Sequence, residues 1–193
     1  MFNKISERIT QLLVKQETIT SSQKELYRYG FNQGFTILFN VITTLVIGCV
    51  FGMVIQSIVF LISYIPLRSY AGGYHAKTPW RCYFVSVVLM SVVLSIIKMM
   101  PHSVIAYSLI IGAGSMVCVA LAPIEDKNKP LDKTEQVVYK KRTYIVLFLE
   151  LCVALLSYFY FRSVFYVICI SVFTESVMLV LGKIKNIFVE ARA

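Results

Sequence analysis

The chain has 193 residues, of which 58% are hydrophobic and only 15% charged, where a soluble domain carries about half apolar and about a quarter charged residues. That balance excludes an ordinary water-soluble fold, which could not bury so much Leu, Ile, Val and Phe. The formal net charge is +9, from 19 Lys and Arg against 10 Asp and Glu. The bases flank apolar runs, so the charge fits an anionic membrane surface and not a nucleic acid.

The expected fold is an all-α integral membrane protein, a single polytopic domain over residues 1–193. It has about six transmembrane or re-entrant helices plus an N-terminal amphipathic helix. Residues 1–28 contain Glu7, Glu17 and Glu25 and lack the apolar core of a secretory signal. Within residues 1–20, Phe2, Ile5, Ile9, Leu12 and Leu13 recur at helical spacing. Such a helix either lies in the membrane interface or packs on the protein's own cytoplasmic loops.

No Lys, Arg, Asp or Glu occurs from Phe31 to Leu67. That length predicts a pair of spans, 31–51 and 53–67, turning near Gly52, with the second short enough to be re-entrant. Gly48 and Gly52 form a GxxxG pair, a weak sign of close helix packing. Further apolar runs cover 82–100, 103–122, 144–161 and 163–182. All five prolines (Pro66, Pro79, Pro101, Pro123 and Pro130) fall at or outside these span ends, as the missing N–H of proline requires in a helix interior.

With both termini cytoplasmic and six crossings, only Lys98 and Arg162 among the Lys and Arg residues lie outside, a strong positive-inside bias. A four-span arrangement would also keep the two large loops inside. Of the cysteines, Cys49, Cys118, Cys152 and Cys169 lie inside apolar runs. An odd total of five with Cys82, mostly at membrane depth, argues for packing residues and against a disulfide framework.

The segment RSYAGGYHAKTPWRC, residues 68–82, differs from its surroundings. It holds one of two histidines, the only tryptophan and two adjacent glycines. Thr78 is an expected N-cap with Pro79 in the first helical position, which puts Cys82 about one turn into a helix. Unpaired N–H groups, the helix dipole and Arg81 favour negative charge on sulfur there. His75 precedes the cysteine by seven residues and can fold back onto it. Gly72 and Gly73 permit a tight backbone and could offer amide hydrogens to an oxyanion. A histidine and a cysteine so placed can form a thiol acyl-transfer site. The same residues can equally be an inert helix-start cysteine and a solvated loop histidine. Metal binding is not expected, since His102 belongs to the opposite face and zinc needs three or four convergent ligands.

Two further features stand out. Lys127, Lys129, Lys140, Lys141 and Arg142 cluster in the hydrophilic stretch 123–143, which sets topology or docks an acidic peptide tail. Glu150 and Glu175 lie within apolar runs, where ionisable groups are costly. Glu150 is the preferred third member of a His75–Cys82 site, and a structural hydrogen bond is the other reading of either residue. With Gln56, the same carboxylates would suit a transporter or channel, and the basic loop alone would suit a membrane scaffold. A thiol enzyme requires Cys82, whereas a transporter would carry solute without it.

Arg68, the run AGGYHA from Ala71 to Ala76, Cys82, and the later APIEDKNKPL from Ala122 to Leu131 resemble the AgrB family. These are membrane peptidases of bacterial quorum-sensing systems, and the likeness extends across nearly the whole chain. The resemblance implies a membrane cysteine endopeptidase that removes the C-terminal tail of a small AgrD-like propeptide. It also implies that the enzyme promotes cyclisation of the remainder to a thiolactone or lactone. Cys82 is then the nucleophile and His75 the base, with Arg68 and Gly73 at supporting positions. No cofactor is called for. The implied partners are the propeptide, membrane lipids and a second copy in a homodimer, with no nucleic acid. The implied location is the cell membrane of a Gram-positive bacterium.

Overall fold

In the computed structural model, residues 2–74, 76, 78–101, 103–125 and 131–190 are described, without the side chains of the last two. They form seven α-helices: α1 Asn3–Lys15, α2 Lys24–Phe51, α3 Val54–Ala71, α4 Pro79–Met99, α5 Val104–Leu121, α6 Lys133–Tyr160 and α7 Arg162–Glu190. No β-strand occurs among the described residues. Helices α2 to α7 are each long and apolar enough to cross a membrane. The molecule is therefore an all-α multi-pass membrane protein.

Helix α1 packs on α2 and not on loops. The Phe2 ring meets Phe35 and Phe39 at 5.9 and 5.8 Å, and the Phe2 N–H donates to Asn32 Oδ1 at 3.1 Å. Its buried residues are the small polar Ser6 and Thr10, while Ile5 and Leu12 stay 51% and 58% exposed. An apolar edge therefore remains available to lipid after the helix has docked.

The turn at Gly52 is as the sequence predicts. Gly52 caps α2 with φ +69°, a left-handed conformation natural to glycine. It packs against nothing, whereas Gly48 faces Ser57 of α3 so closely that a Cβ would overlap the serine hydroxyl. The GxxxG pair thus divides into one packing glycine and one cap.

Four predicted boundaries are corrected. The second span is not a short segment ending at residue 67, because α3 continues through Pro66 and Arg68 to Ala71. Its 18 residues reach about 27 Å, close to the thickness of a bilayer's hydrocarbon core. Pro66 is exposed and sits inside the helix, which membrane helices tolerate where neighbouring groups re-satisfy the backbone. The helix persists because Phe60, Ser63, Leu67 and Ala71 form one buried stripe at helical spacing.

Helix α6 begins eleven residues before the expected 144. A capping box starts it: Asp132 accepts from the Glu135 N–H at 2.6 Å, and Glu135 accepts from the Asp132 N–H at 3.2 Å. Lys140, Lys141 and Arg142 therefore lie on a helix and not in a loop. Helix α2 likewise starts at Lys24, with Glu25 paired to Arg28 in its first turns, and α7 runs on to Glu190.

Helix α7 is the axis of the bundle. Of its most apolar window 72% is buried, against 11–28% in the other five spans, and it packs on α3, α4, α5 and α6. The uninterrupted buried run Phe165–Val172 reflects contact on every side. Helix α5 approaches most closely through Gly114, where a Cβ would stand 3.0 Å from the Phe173 Cα. Higher up, Tyr107 and Tyr166 pack ring to ring at 4.5 Å. Hydroxyls along the spans, including Thr36, Ser91, Thr143 and Thr174, donate to the carbonyl four residues earlier. They are thereby satisfied without water.

Candidate functional site

The end of α3 is where the bundle departs from simple helix packing. The Gly72 N–H closes the helix onto the Arg68 carbonyl at 3.1 Å. The chain then takes two positive φ values in succession, +79° at Gly72 and +109° at Gly73, which side chains on L-residues resist. This turn is pinned from two directions. Ile124, just after α5, donates to the Ala71 carbonyl at 2.9 Å and accepts from the Gly73 N–H at 3.4 Å. The Tyr74 N–H donates to the Met178 carbonyl of α7 at 2.9 Å. Gly182, one turn after Met178, makes the approach feasible, since a Cβ there would stand 2.6 Å from the Gly73 carbonyl carbon.

Arg68 grips the same turn from inside. Its Nη1 donates to the Gly72 carbonyl and its Nη2 to the Tyr74 carbonyl. The guanidinium also pairs with Glu175 of α7, Nη1 to Oε1 at 3.6 Å. Glu175 is fully buried and Arg68 largely so, and burial of such charges requires pairing. The Tyr64 side chain of α3, stacked on Phe60 at 5.0 Å, lies within electrostatic reach of Glu175, Arg68 and Cys82.

Helix α4 brings Cys82 to this end of the bundle. As the sequence predicts, Thr78 is the N-cap, its hydroxyl accepting from the Arg81 N–H at 3.4 Å, and Pro79 follows at once. The Cys82 N–H is already bonded to the Thr78 carbonyl at 3.0 Å. Its thiol is free and partly exposed. Tyr83 anchors the start of α4 on α2, against Phe39 at 5.1 Å and with its hydroxyl 3.2 Å from that of Thr43. The other free cysteines are spread over α2, α5, α6 and α7.

The predicted site residues separate into groups. Arg68, Gly72 and Gly73 form one connected unit. His75 follows it directly in sequence but, like Lys127, Lys129 and His102, lies outside the described residues. The amide hydrogens of Gly72 and Gly73 are both given to protein carbonyls, those of Arg68 and Ile124. Glu150 is buried on α6, and no described residue hydrogen-bonds its carboxylate. Glu175, the less favoured carboxylate, is the one that meets Arg68.

Lys140, Lys141 and Arg142 are exposed. Arg142 stands over the Tyr70 ring at 5.4 Å, and Tyr70 also meets Tyr139 edge-on at 6.0 Å. The basic turns of α6 thus adjoin the last turn of α3. Met178 and Gly182 carry no chemistry in the sequence and only their contacts with the turn identify them, while Ile124 lies in the Ala122–Leu131 run already singled out.

These features define a polytopic membrane protein with a glycine turn clamped by a buried arginine beside a cysteine-bearing helix start. Residues 6–179 match the family described as Accessory gene regulator B, and the chain belongs to this AgrB family. The family's place is in quorum-sensing propeptide processing. The chain is 26% identical over 143 residues to AgrB-like protein 2 of Clostridium perfringens strain 13, covering 70% of this chain and 66% of that protein. It is 24% identical, with the same coverage, to an AgrB-like protein of C. perfringens strain SM101. Over 78 residues it is 31% identical to FsrB of Enterococcus faecalis, covering 40% of this chain and 32% of FsrB. The chain thus spans just under two thirds of the C. perfringens relatives. No solved structure matches it.

Proposed function

We propose that the chain is a membrane cysteine endopeptidase that cleaves the C-terminal tail from a small AgrD-like propeptide and promotes cyclisation of the remainder. The observation that carries this reading is the clamped Gly72–Tyr74 turn, continuous in sequence with His75 and with the α4 start that holds the free, partly exposed Cys82. Membership of the AgrB family supports it.

In this reading His75 accepts the Cys82 proton and the sulfur attacks the scissile carbonyl. The peptide C–N bond breaks, the amine of the tail leaves with the proton held by His75, and the acyl group stays on sulfur as a thioester. A thiol or hydroxyl within the substrate then attacks that thioester and regenerates the Cys82 thiol. Tethering gives this internal group a high effective molarity over water. Glu150 is the proposed partner that orients His75. Lys127, Lys129, Lys140, Lys141 and Arg142 are proposed to dock the acidic tail. The basic ends of α2, α3, α6 and α7 are proposed to face the cytoplasm with both termini, and a homodimer is proposed as the assembled form.

The test is co-expression with the cognate propeptide, read by mass spectrometry, in wild type, Cys82→Ser and His75→Ala. Both variants should reach the membrane and release no tail. Continued release by both would remove these residues from the chemistry.

A further inference from the structure

The guanidinium of Arg68 does two things at once. It holds carbonyls on both sides of Gly73, and it faces a carboxylate with no solvent exposure on another helix. Neutralising a buried arginine would need only the carboxylate. The geometry goes further, because the Nη1 that donates to the Gly72 carbonyl is also the atom that faces Glu175 at 3.6 Å, so the carboxylate's charge holds that side of the planar fork at the turn. If the carboxylate lost its charge, the long arginine side chain would tend to move its head toward the interface. Both carbonyls would then lose their donor together. The turn would be left with its backbone hydrogen bonds alone, Gly72 to Arg68, Gly73 to Ile124, Ile124 to Ala71 and Tyr74 to Met178.

We infer that Glu175 is a positioning residue of the site: through Arg68 it fixes the backbone from Gly72 to Tyr74, the turn that leads directly into His75. Its importance for catalysis rests on the reading of His75 and Cys82 as the reacting pair. Its effect on the backbone does not. Glu175 acts through Arg68, by limiting how far the backbone from Gly72 to Tyr74 can move. The same arrangement explains why positions 73 and 182 are both glycine, since a Cβ at Gly73 would meet the Arg68 guanidinium and the Met178 carbonyl, and one at Gly182 would meet the backbone of Gly73 and Tyr74.

The experiment uses the full chain in nanodiscs and compares wild type, Glu175→Gln, Glu175→Asp and Cys82→Ser. Amide hydrogen exchange is followed over residues 70–76, and tail release from a synthetic propeptide gives kcat and KM. Loss of the charge-assisted bonds should raise exchange in this peptide about tenfold in Glu175→Gln, with the α5 and α7 peptides unchanged. The kcat should fall about 10- to 100-fold, with KM moved less than about twofold. Glu175→Asp, which keeps the charge, should recover part of both.

Wild-type exchange and wild-type kcat in Glu175→Gln would overturn the inference. So would exchange that rises uniformly across the bundle, the mark of a purely structural role. If Glu175→Gln fails to insert, Arg68→Lys is measured in its place. It keeps the positive charge but replaces the two-nitrogen fork by one nitrogen, which does not reproduce the separate Nη1 and Nη2 bonds to Gly72 and Tyr74, and unchanged exchange in it would equally overturn the inference. If wild type itself released no tail, or Cys82→Ser still did, the peptidase reading would fail, while the exchange comparison would still decide the role of Glu175.

Discussion

Replacing Gly182 by alanine perturbs the clamped turn without altering any polar group. The added methyl would stand 2.6 Å from the Gly73 carbonyl carbon, 2.8 Å from its Cα and 2.8 Å from the Tyr74 nitrogen. All three are backbone atoms, so no side chain can swing aside. Ordinary carbon contacts begin at about 3.5 Å, so the turn must retreat from α7 by somewhat under an ångström. A displacement of that order near a reacting centre costs up to about 100-fold in rate, or about 2.7 kcal/mol in activation free energy. The methyl lies at the edge of the bundle and leaves the Phe165–Val172 core untouched, so membrane insertion and thermal stability should change little. Gly112→Ala, whose new methyl meets nothing within 4 Å, is the matched control. The assay is tail release from the propeptide in nanodiscs, with melting followed in parallel. A Gly182→Ala protein that cleaves as fast as the Gly112→Ala control would refute the argument that turn position governs the site.

Three further outcomes are expected. Neutralising Lys140, Lys141 and Arg142 together should weaken binding of the acidic propeptide while leaving the acyl-transfer step intact. Unchanged affinity by titration in nanodiscs would remove these bases from substrate docking. Gly114→Val should overpack the α5–α7 contact at Phe173 and cost about 1–3 kcal/mol of stability, measured by denaturant titration in detergent. Asp132→Ala removes the cap that starts α6 and should cost about 1 kcal/mol, seen as faster amide exchange over Lys133–Gln136 with the rest of α6 unaffected.

Helix existence was legible because lipid enforces it: long uncharged runs have no other way to satisfy their backbones. Boundaries were less legible where a local signal competed with hydropathy. Charges between 133 and 143 read as loop, although Asp132 and Glu135 form a capping pair that starts a helix there. Pro66 read as a terminus, although a buried stripe on both sides of it carries α3 onward. The N-cap at Thr78 was readable because capping depends on adjacent residues only.

By itself, then, the sequence determined the membrane class, the turn at Gly52 and the helix start beneath Cys82, while the structure decided for six long apolar helices over a four-span arrangement. It also isolated Arg68, Gly72 and Gly73 as unusual. These follow from composition, period and short-range backbone chemistry, all of which act over a few residues. Only the tertiary structure decided which intramembrane carboxylate meets Arg68. Glu150 and Glu175 sit in equally apolar runs, and the rotation of α6 and α7 against α3 brings Glu175 to the guanidinium. The same packing decided that Ile124, Met178 and Gly182 hold the glycine turn. Residues far apart in the chain meet there because α7 packs on α3 and α5, and no short-range pattern in the sequence encodes that meeting.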